Sequence, residues 1–322
     1  MRAWQVGALG EPAEVMRLAQ DVPEPTPGEG QVLVRVRAAA VNFPDALMCR
    51  GHYQVRPPLP FTPGVELCGE LVGGDRAGAR VIGTPLLPAG AFAEYALMDA
   101  ASVFPAPEAL DDAQAAALHI GYQTAWFGLH RRARLAAGET LLVHAAAGGV
   151  GSAAVQLGKA AGARVIGVVG GAEKASVARE LGADLVIDRH AEDFAAAVRA
   201  ATGGQGADVV FDPVGGEAYT GSTKCVAFEG RILVVGFASG TIPAPGLNHA
   251  LVKNYSVLGL HWGLYNTRDP QAVRQAHREL TELAAKGVVR PLVSERLAFD
   301  RAAEGVQKVA DGVSTGRIAV LP

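Results

Sequence analysis

From Thr140 to Ala163 the chain reads TLLVHAAAGGVGSAAVQLGKAAGA, and no other stretch limits the possible folds so tightly. Leu141 to Val143 is an apolar run too short for a helix and bounded by small residues, which reads as a buried strand. A glycine-rich turn comes next, and then an apolar face at helical spacing through Val150, Ala154, Leu157 and Ala161. Gly162 stands where a left-handed residue would end that helix. Strand, glycine turn and helix in this order form the context of a dinucleotide site. Without Cβ atoms, Gly148 and Gly149 let the chain bend and let the backbone approach a diphosphate; Gly151 lets the helix lie close on the strand. The helix then directs unpaired N–H groups and the positive end of its dipole at the phosphates. The turn departs from G-x-G-x-x-G at its first position, where Ala146 stands. Alone, AxGxxG also suits a ligand-free βα corner, so the pattern of the next hundred residues decides between the two.

Those residues alternate regularly. Strand candidates Leu141–His144, Arg164–Val169, Asp184–Ile187, Asp208–Phe211 and Arg231–Gly236 alternate with helix candidates Val150–Ala161, Ala172–Leu181, Asp193–Ala201 and Gly215–Ala227. Continuous Val/Ile runs between helices mean a parallel sheet covered on both faces. Asn248–Lys253 and then Tyr255–Leu260 bring the strand count to six, as in a Rossmann doubly wound α/β domain. An NAD site usually carries an acid at the end of its second strand for the ribose 2′-hydroxyl. Here that strand ends Val168-Val169-Gly170-Gly171, with no acid to repel a 2′-phosphate, and Lys174 and Arg189 come after it. Either cation can pair with a dianionic phosphate. NADPH is therefore expected over NADH.

The first third has another character. EPTPGEG at Glu24–Gly30 is turn-rich. Gln31 to Val41 alternates, with Val32, Val34 and Val36 on one side and Leu33, Arg35 and Arg37 on the other, the mark of a half-buried antiparallel strand. Glu66–Val72, Arg80–Gly83 and Ala91–Leu97 are further short strands, so a small β-rich domain of about 115 residues is expected. The segment between them holds more polar and aromatic groups than a connector needs: Asn42, Asp45, His52, Tyr53 and Glu66. Each can equally serve turn chemistry or a satisfied buried polar group.

A chain of 322 residues favours two domains. A formal net charge of −3 gives no electrostatic footprint for nucleic acid or an anionic membrane. The start, MRAWQVGALGEP, lacks the apolar core of a signal peptide. Cys49, Cys68 and Cys225 are an odd, scattered set, which argues against a disulfide framework and for a cytoplasmic protein.

Three stretches carry a family resemblance: VNFPDALMCRGHYQVRPPLPFTPGVE, HAAAGGVGSAAVQLGKAAGARVIGV and LVKNYSVLGLHWGLY. Together they resemble the zinc-free quinone oxidoreductase branch of the medium-chain dehydrogenase/reductase superfamily, to which the zeta-crystallins belong, over essentially the whole chain. The resemblance implies a GroES-like β-rich catalytic domain, discontinuous at 1–120 and 261–322, around a Rossmann NADPH-binding domain at 121–260. It implies cofactor contacts from Thr124 in GYQTA, from Ala147, Gly148, Gly149 and Val150 in the turn, from Gly170, and from Gly236 and Phe237 beside the nicotinamide. Lys174 matches the family's 2′-phosphate lysine, and Arg189 falls where many members have Tyr. Zinc-dependent members offer Cys where Asn42 stands and His where Val65 stands, and a four-cysteine lobe that three dispersed cysteines cannot make, so neither a catalytic nor a structural zinc is expected.

The implied reaction is hydride transfer from NADPH to a small, electron-poor acceptor, a quinone above all, in a cleft between the domains. Asn42 and Tyr53 are expected to hydrogen-bond the acceptor oxygen, and Asp45 or His52 to order a water or relay a proton; no residue is singled out as the general acid. Tyr255–Leu260 is expected to be the edge strand of a homodimer, since an unpaired apolar edge is a liability. An enone or enoyl reductase and a non-catalytic, crystallin-like NADPH binder are the competing readings.

Overall fold

The computed structural model describes residues 1–322, in two compact units. One comprises Gly121–Asp269, the other Met1–Ile120 with Pro270–Pro322.

The Gly121–Asp269 unit is built on six parallel strands: β1 (Thr140–His144), β2 (Arg164–Val169), β3 (Leu185–Asp188), β4 (Ala207–Asp212), β5 (Val226–Val234) and β6 (Ser256–Gly259). Their order across the sheet is β3-β2-β1-β4-β5-β6. The sequence reverses direction between β1 and β4, the switch point at which doubly wound sheets bind ligands. Helices α1 (Gly149–Ala160), α2 (Ala172–Glu180), α3 (Phe194–Ala201), α4 (Gly216–Cys225) and α5 (Leu247–Lys253) make the connections. Leu142, Ile166, Val168, Ile187, Val210 and Ile232 are buried in one core cluster, which is why these strands read as continuous apolar runs. Gly162 and Gly182 take φ of 78° and 102° just beyond α1 and α2, the left-handed stops expected of them.

In the other unit, Gln31–Ala40 is the central strand, pairing antiparallel with Leu67–Val72 and with Tyr95–Asp99. Arg80–Gly83 and Phe104–Pro105 extend one side; Arg317–Leu321 and Val293–Ala298 extend the other. The closing strand Arg317–Leu321 thus joins the sheet begun by the first hundred residues. Ala91–Leu97 reads as a strand in the sequence, but the pairing starts only at Tyr95, because Ala91 and Phe92 donate their N–H groups to Gly64 and Pro63 carbonyls instead. No helix in the chain is long and apolar enough to cross a membrane.

Candidate functional site

In the doubly wound unit, β1 ends at His144 and the backbone turns sharply at Ala145, which takes φ of 49°. The bend therefore falls one residue before the position of the family's first glycine, on a residue that carries a Cβ. Gly148 N–H closes the turn on Ala145 C=O at 2.8 Å, and Ser152 N–H opens the α1 ladder on Gly148 C=O at 2.9 Å. A Cβ on Gly151 would lie 2.1 Å from the Ala145 oxygen, so only glycine lets the helix start against this turn. The leading N–H groups of a twelve-residue helix have no intrahelical acceptors, and here Gly148, Gly149 and Val150 surround them with little side-chain cover. Such an end suits a diphosphate.

Beside it, β2 ends at Val169, with Gly170 and Gly171 next. The nearest acid, Asp188 at the end of β3, is committed: its Oδ1 accepts Gly171 N–H at 2.9 Å and His190 N–H at 3.0 Å, and those bonds hold its carboxyl below the usual carboxylate range. Lys174 in the first turn of α2 is half-buried. Burial, and next the charge of Arg189, lower its pKa, with Glu173 opposing. Two like charges that discourage each other are an arrangement an anion relieves. The Arg189 guanidinium also reaches over Gly170: a Cβ there would lie 3.1 Å from Nη2. Arg189 thus lies over Gly170 and within electrostatic reach of Lys174, a cationic setting whose chemistry suits a phosphate.

Thr124 is buried on the helix His119–Trp126; one turn on, Gly128 packs within 2.7 Å of Leu233 if given a Cβ. Phe237 lies over the loop after β4, 2.9 Å from the Cβ position of Gly215, and about a third of its surface is exposed. Gly236 comes after β5, beside Pro213. Beneath these loops is a polar set the sequence did not announce. His144 is buried, edge-on to Phe194, with Nε2 2.8 Å from Ser222 Oγ. Ser222 donates to Ala218 C=O, so it accepts from His144 Nε2–H. Burial pushes His144 down to about 4, against the nearby charge of Asp212, and the ring is neutral. Asp212 Oδ1 accepts from the N–H groups of Val214 and Gly215, which shapes the loop leading to α4.

In the β-rich unit, Asn42 caps the helix Phe43–Cys49 in a reciprocal box with Asp45. Asp45 is fully buried; Oδ2 accepts Asn42 N–H at 2.8 Å and Oδ1 accepts Gly64 N–H at 2.9 Å. Burial pushes its carboxyl up to about 7 in spite of those bonds. The Asn42 amide donates to Ala40 C=O at 3.1 Å and to Glu66 Oε2 at 2.9 Å. Glu66 also accepts Ile120 N–H at 2.6 Å and the guanidinium of Arg317. Burial raises the Glu66 carboxyl, with Arg317, Asn42 and Ile120 all pulling it back. Asn42, Asp45 and Glu66 are therefore one network, tied together by Arg317, which sequence reading missed. Its only signal was an arginine at a register position where the closing strand is buried on both sides. Tyr53 is half-buried against the same core, and burial and then the charge of Asp45 raise its pKa, so the phenol stays protonated. His52 is exposed and lies outside the network. The three cysteines are free and buried, and burial pushes each thiol up to about 12.

Comparison with known proteins points the same way for both units. Residues 28–108 match the alcohol dehydrogenase GroES-like domain, and residues 149–282 match the family described as zinc-binding dehydrogenase. A quinone oxidoreductase-like protein 2 homolog of Nematostella vectensis is 39% identical over 301 residues, covering 91% of this chain and 82% of that protein. Quinone oxidoreductase-like protein 2 of Mus musculus is 33% identical over 324 residues, covering 98% and 92%. The structure of Escherichia coli quinone oxidoreductase complexed with NADPH superposes with a TM-score of 0.91 at 29% identity, covering all of both chains.

Proposed function

The chain belongs to the quinone oxidoreductase branch of the medium-chain dehydrogenase/reductase superfamily, and from that premise we propose that it reduces quinones or closely related electron-poor acceptors with NADPH, without zinc. That it is an oxidoreductase using NADPH follows from the family and from the cationic seat at Gly170. The acceptor class is carried by one observation: the donor set around Asn42. Where a zinc site needs thiolate or imidazole ligands converging tetrahedrally, this chain offers an amide, the apolar Val65, and a carboxylate already held by Asn42, Ile120 and Arg317. No three His, Cys, Asp or Glu side chains come together as a metal would require. Without a Lewis acid to polarise it, the acceptor must stabilise its own reduced anion, as quinones and activated enones do.

Bound NADPH supplies the hydride. The α1 N-terminus and the turn from Ala147 to Val150 would hold its diphosphate, Lys174 and Arg189 its 2′-phosphate, and Thr124, Gly236 and Phe237 its nicotinamide end. Tyr53, protonated, would donate to the acceptor oxygen. Asn42 has both amide hydrogens committed and would act by fixing Asp45 and Glu66, while Asp45, near neutrality, would exchange a proton with an ordered water. A homodimer formed along β6 is supported by the position of that strand at the sheet edge and by Val257, 44% exposed on it. The free thiols suit a cytoplasmic setting.

The test is NADPH oxidation with 1,4-naphthoquinone, alkyl enones and an enoyl thioester, before and after chelator treatment. Chelator-resistant turnover fastest with the quinone is expected, and Tyr53→Phe should lower kcat/KM for it while leaving NADPH affinity intact. Preference for the enones would replace the quinone reading by a C=C reductase. Tight NADPH binding with no acceptor turned over would leave only the binding role.

A further inference from the structure

Two side chains, not one, fold back over Gly170. A Cβ placed there would lie 3.1 Å from Arg189 Nη2, 3.0 Å from His190 Nε2 and 2.9 Å from His190 Cε1. Both nitrogens therefore face a single point just beyond the end of β2, where a Rossmann domain receives the adenosine ribose and its 2′ substituent. The backbone supports this pose. Asp188 Oδ1 accepts His190 N–H at 3.0 Å and Gly171 N–H at 2.9 Å, so one carboxylate fixes the histidine's main chain and the loop beneath its ring. The same Oδ1 lies 4.0 Å from His190 Nδ1.

We propose that His190 is a third phosphate-binding side chain of the cofactor site, and that its protonation makes the preference for a 2′-phosphorylated dinucleotide dependent on pH. The proposal rests on the NADPH assignment. It adds an imidazole to the ammonium of Lys174 and the guanidinium of Arg189. The charged groups shown beside His190 are Asp188, 4.0 Å from Nδ1, and Arg189, which approaches Gly170 with it; Arg189 in turn acts on Lys174 in the first turn of α2, where Glu173 also stands. Its remaining side is open to solvent, so the ring is 58% exposed and contributes nothing to a core. Because a phosphate monoester itself titrates near pH 6, the effect of the histidine is the difference between wild type and a variant that cannot titrate. His190→Gln is that variant: it keeps the main-chain bonds to Asp188 and a hydrogen-bond donor, and removes the conditional charge.

The experiment is isothermal titration of the whole protein with adenosine 2′,5′-bisphosphate and, separately, with 5′-AMP. It is run at pH 6.5 and pH 8 in two buffers of different ionisation enthalpy, so that proton uptake on binding is read directly. At pH 6.5 wild type should take up more protons, or release fewer, on binding the bisphosphate than His190→Gln does, and the substitution should reduce the bisphosphate-to-AMP affinity ratio about threefold to tenfold, as expected for an exposed charge-assisted contact. At pH 8 the ratio should agree within about twofold, and 5′-AMP affinity should be unchanged throughout. Arg189→Gln should lower the ratio at both pH values. Equal proton uptake and equal ratios in wild type and His190→Gln, with the bisphosphate still preferred, would overturn the role of His190 and leave the NADPH assignment standing. No preference for the bisphosphate in wild type would remove both.

Discussion

The cluster around Glu66 in one unit and the cluster around Gly170 in the other are built on opposite plans. Around Glu66 nearly every group is used internally: the carboxylate takes Asn42, Ile120 and Arg317, the Asn42 amide takes Ala40 as well, and Asp45 takes two main-chain N–H groups. The one loose end is Arg317 Nε, buried without a partner. Around Gly170 like charges are brought together: Lys174 is depressed by burial and by Arg189, and Arg189 and His190 point at the same space. A cluster closed on its own partners stabilises the fold; at Gly170 cations crowd together while the neighbouring Asp188 carboxylate is held by main-chain N–H groups, so an added anion is what relieves them.

The sharpest way to break this contrast is Arg317→Met. It leaves Glu66, wholly buried, without its countercharge, and removal of one member of a buried pair costs about 3–5 kcal/mol. Denaturant unfolding should show that loss, and adding Glu66→Gln should return part of it, since the stranded charge is then gone. A loss under about 1 kcal/mol would mean that the Glu66 cluster does not depend on its own countercharge and is not closed.

A smaller effect sharpens the contrast inside the doubly wound unit. His144 belongs to the closed type, bonded to Ser222 beneath the loops. Its folded pKa of about 4 lies below the ordinary 6.5, so on acidification the unfolded chain takes up the proton first. The stability that comes from keeping the ring neutral is present above pH 6.5 and is lost as pH falls toward 4. At about 1.4 kcal/mol per unit this is about 3 kcal/mol across that window. His144→Gln, whose amide can still donate to Ser222, should flatten that part of the stability–pH curve. His119 and His277, depressed by burial in the other unit to about 3 and about 4, will keep some slope. An unchanged curve would mean that His144 is protonated in the fold or shielded by Asp212.

Legibility from sequence divides along the same line. The Arg164–Val169 and Arg80–Gly83 strands appear with the bounds expected, because apolar runs between glycines or helices have few other uses. Lys174 and Arg189 stand out because a missing acid is a local signal, close to the strand it concerns. Glu66 can be noticed but not understood: its counterion is 251 positions away, and no spacing rule connects Glu66 to Arg317. The Ala145 bend is hidden for a different reason, since positive φ is sought at glycine and here an alanine carries it. Val226 and Ala227 read as the end of a helix, with the strand starting only at Arg231. Helix α4 instead stops at Cys225, and the chain enters β5 through an irregular register between its pairings with Ala207 and Val209, with Glu229 at φ 57°.

The least disruptive substitution tests the open cluster most directly. Lys174→Met with Arg189→Met removes two positive charges that oppose each other and keeps an apolar stem at each position, so the unfolding free energy without ligand should stay within about 1 kcal/mol of wild type. NADPH affinity should fall about tenfold to a hundredfold, because each charge-assisted bond to the 2′-phosphate is lost, whereas NADH affinity should hold within about twofold. The two measurements are linked: a ligand that binds only the folded state stabilises it in proportion to the logarithm of its concentration over Kd. The increase in melting temperature on adding NADPH should therefore shrink in the double variant until it equals that produced by NADH, while the ligand-free melting temperature stays in place. If the ligand-free protein instead unfolds as readily as Arg317→Met, the cations at Gly170 are holding the fold together, and the distinction between the two clusters is lost.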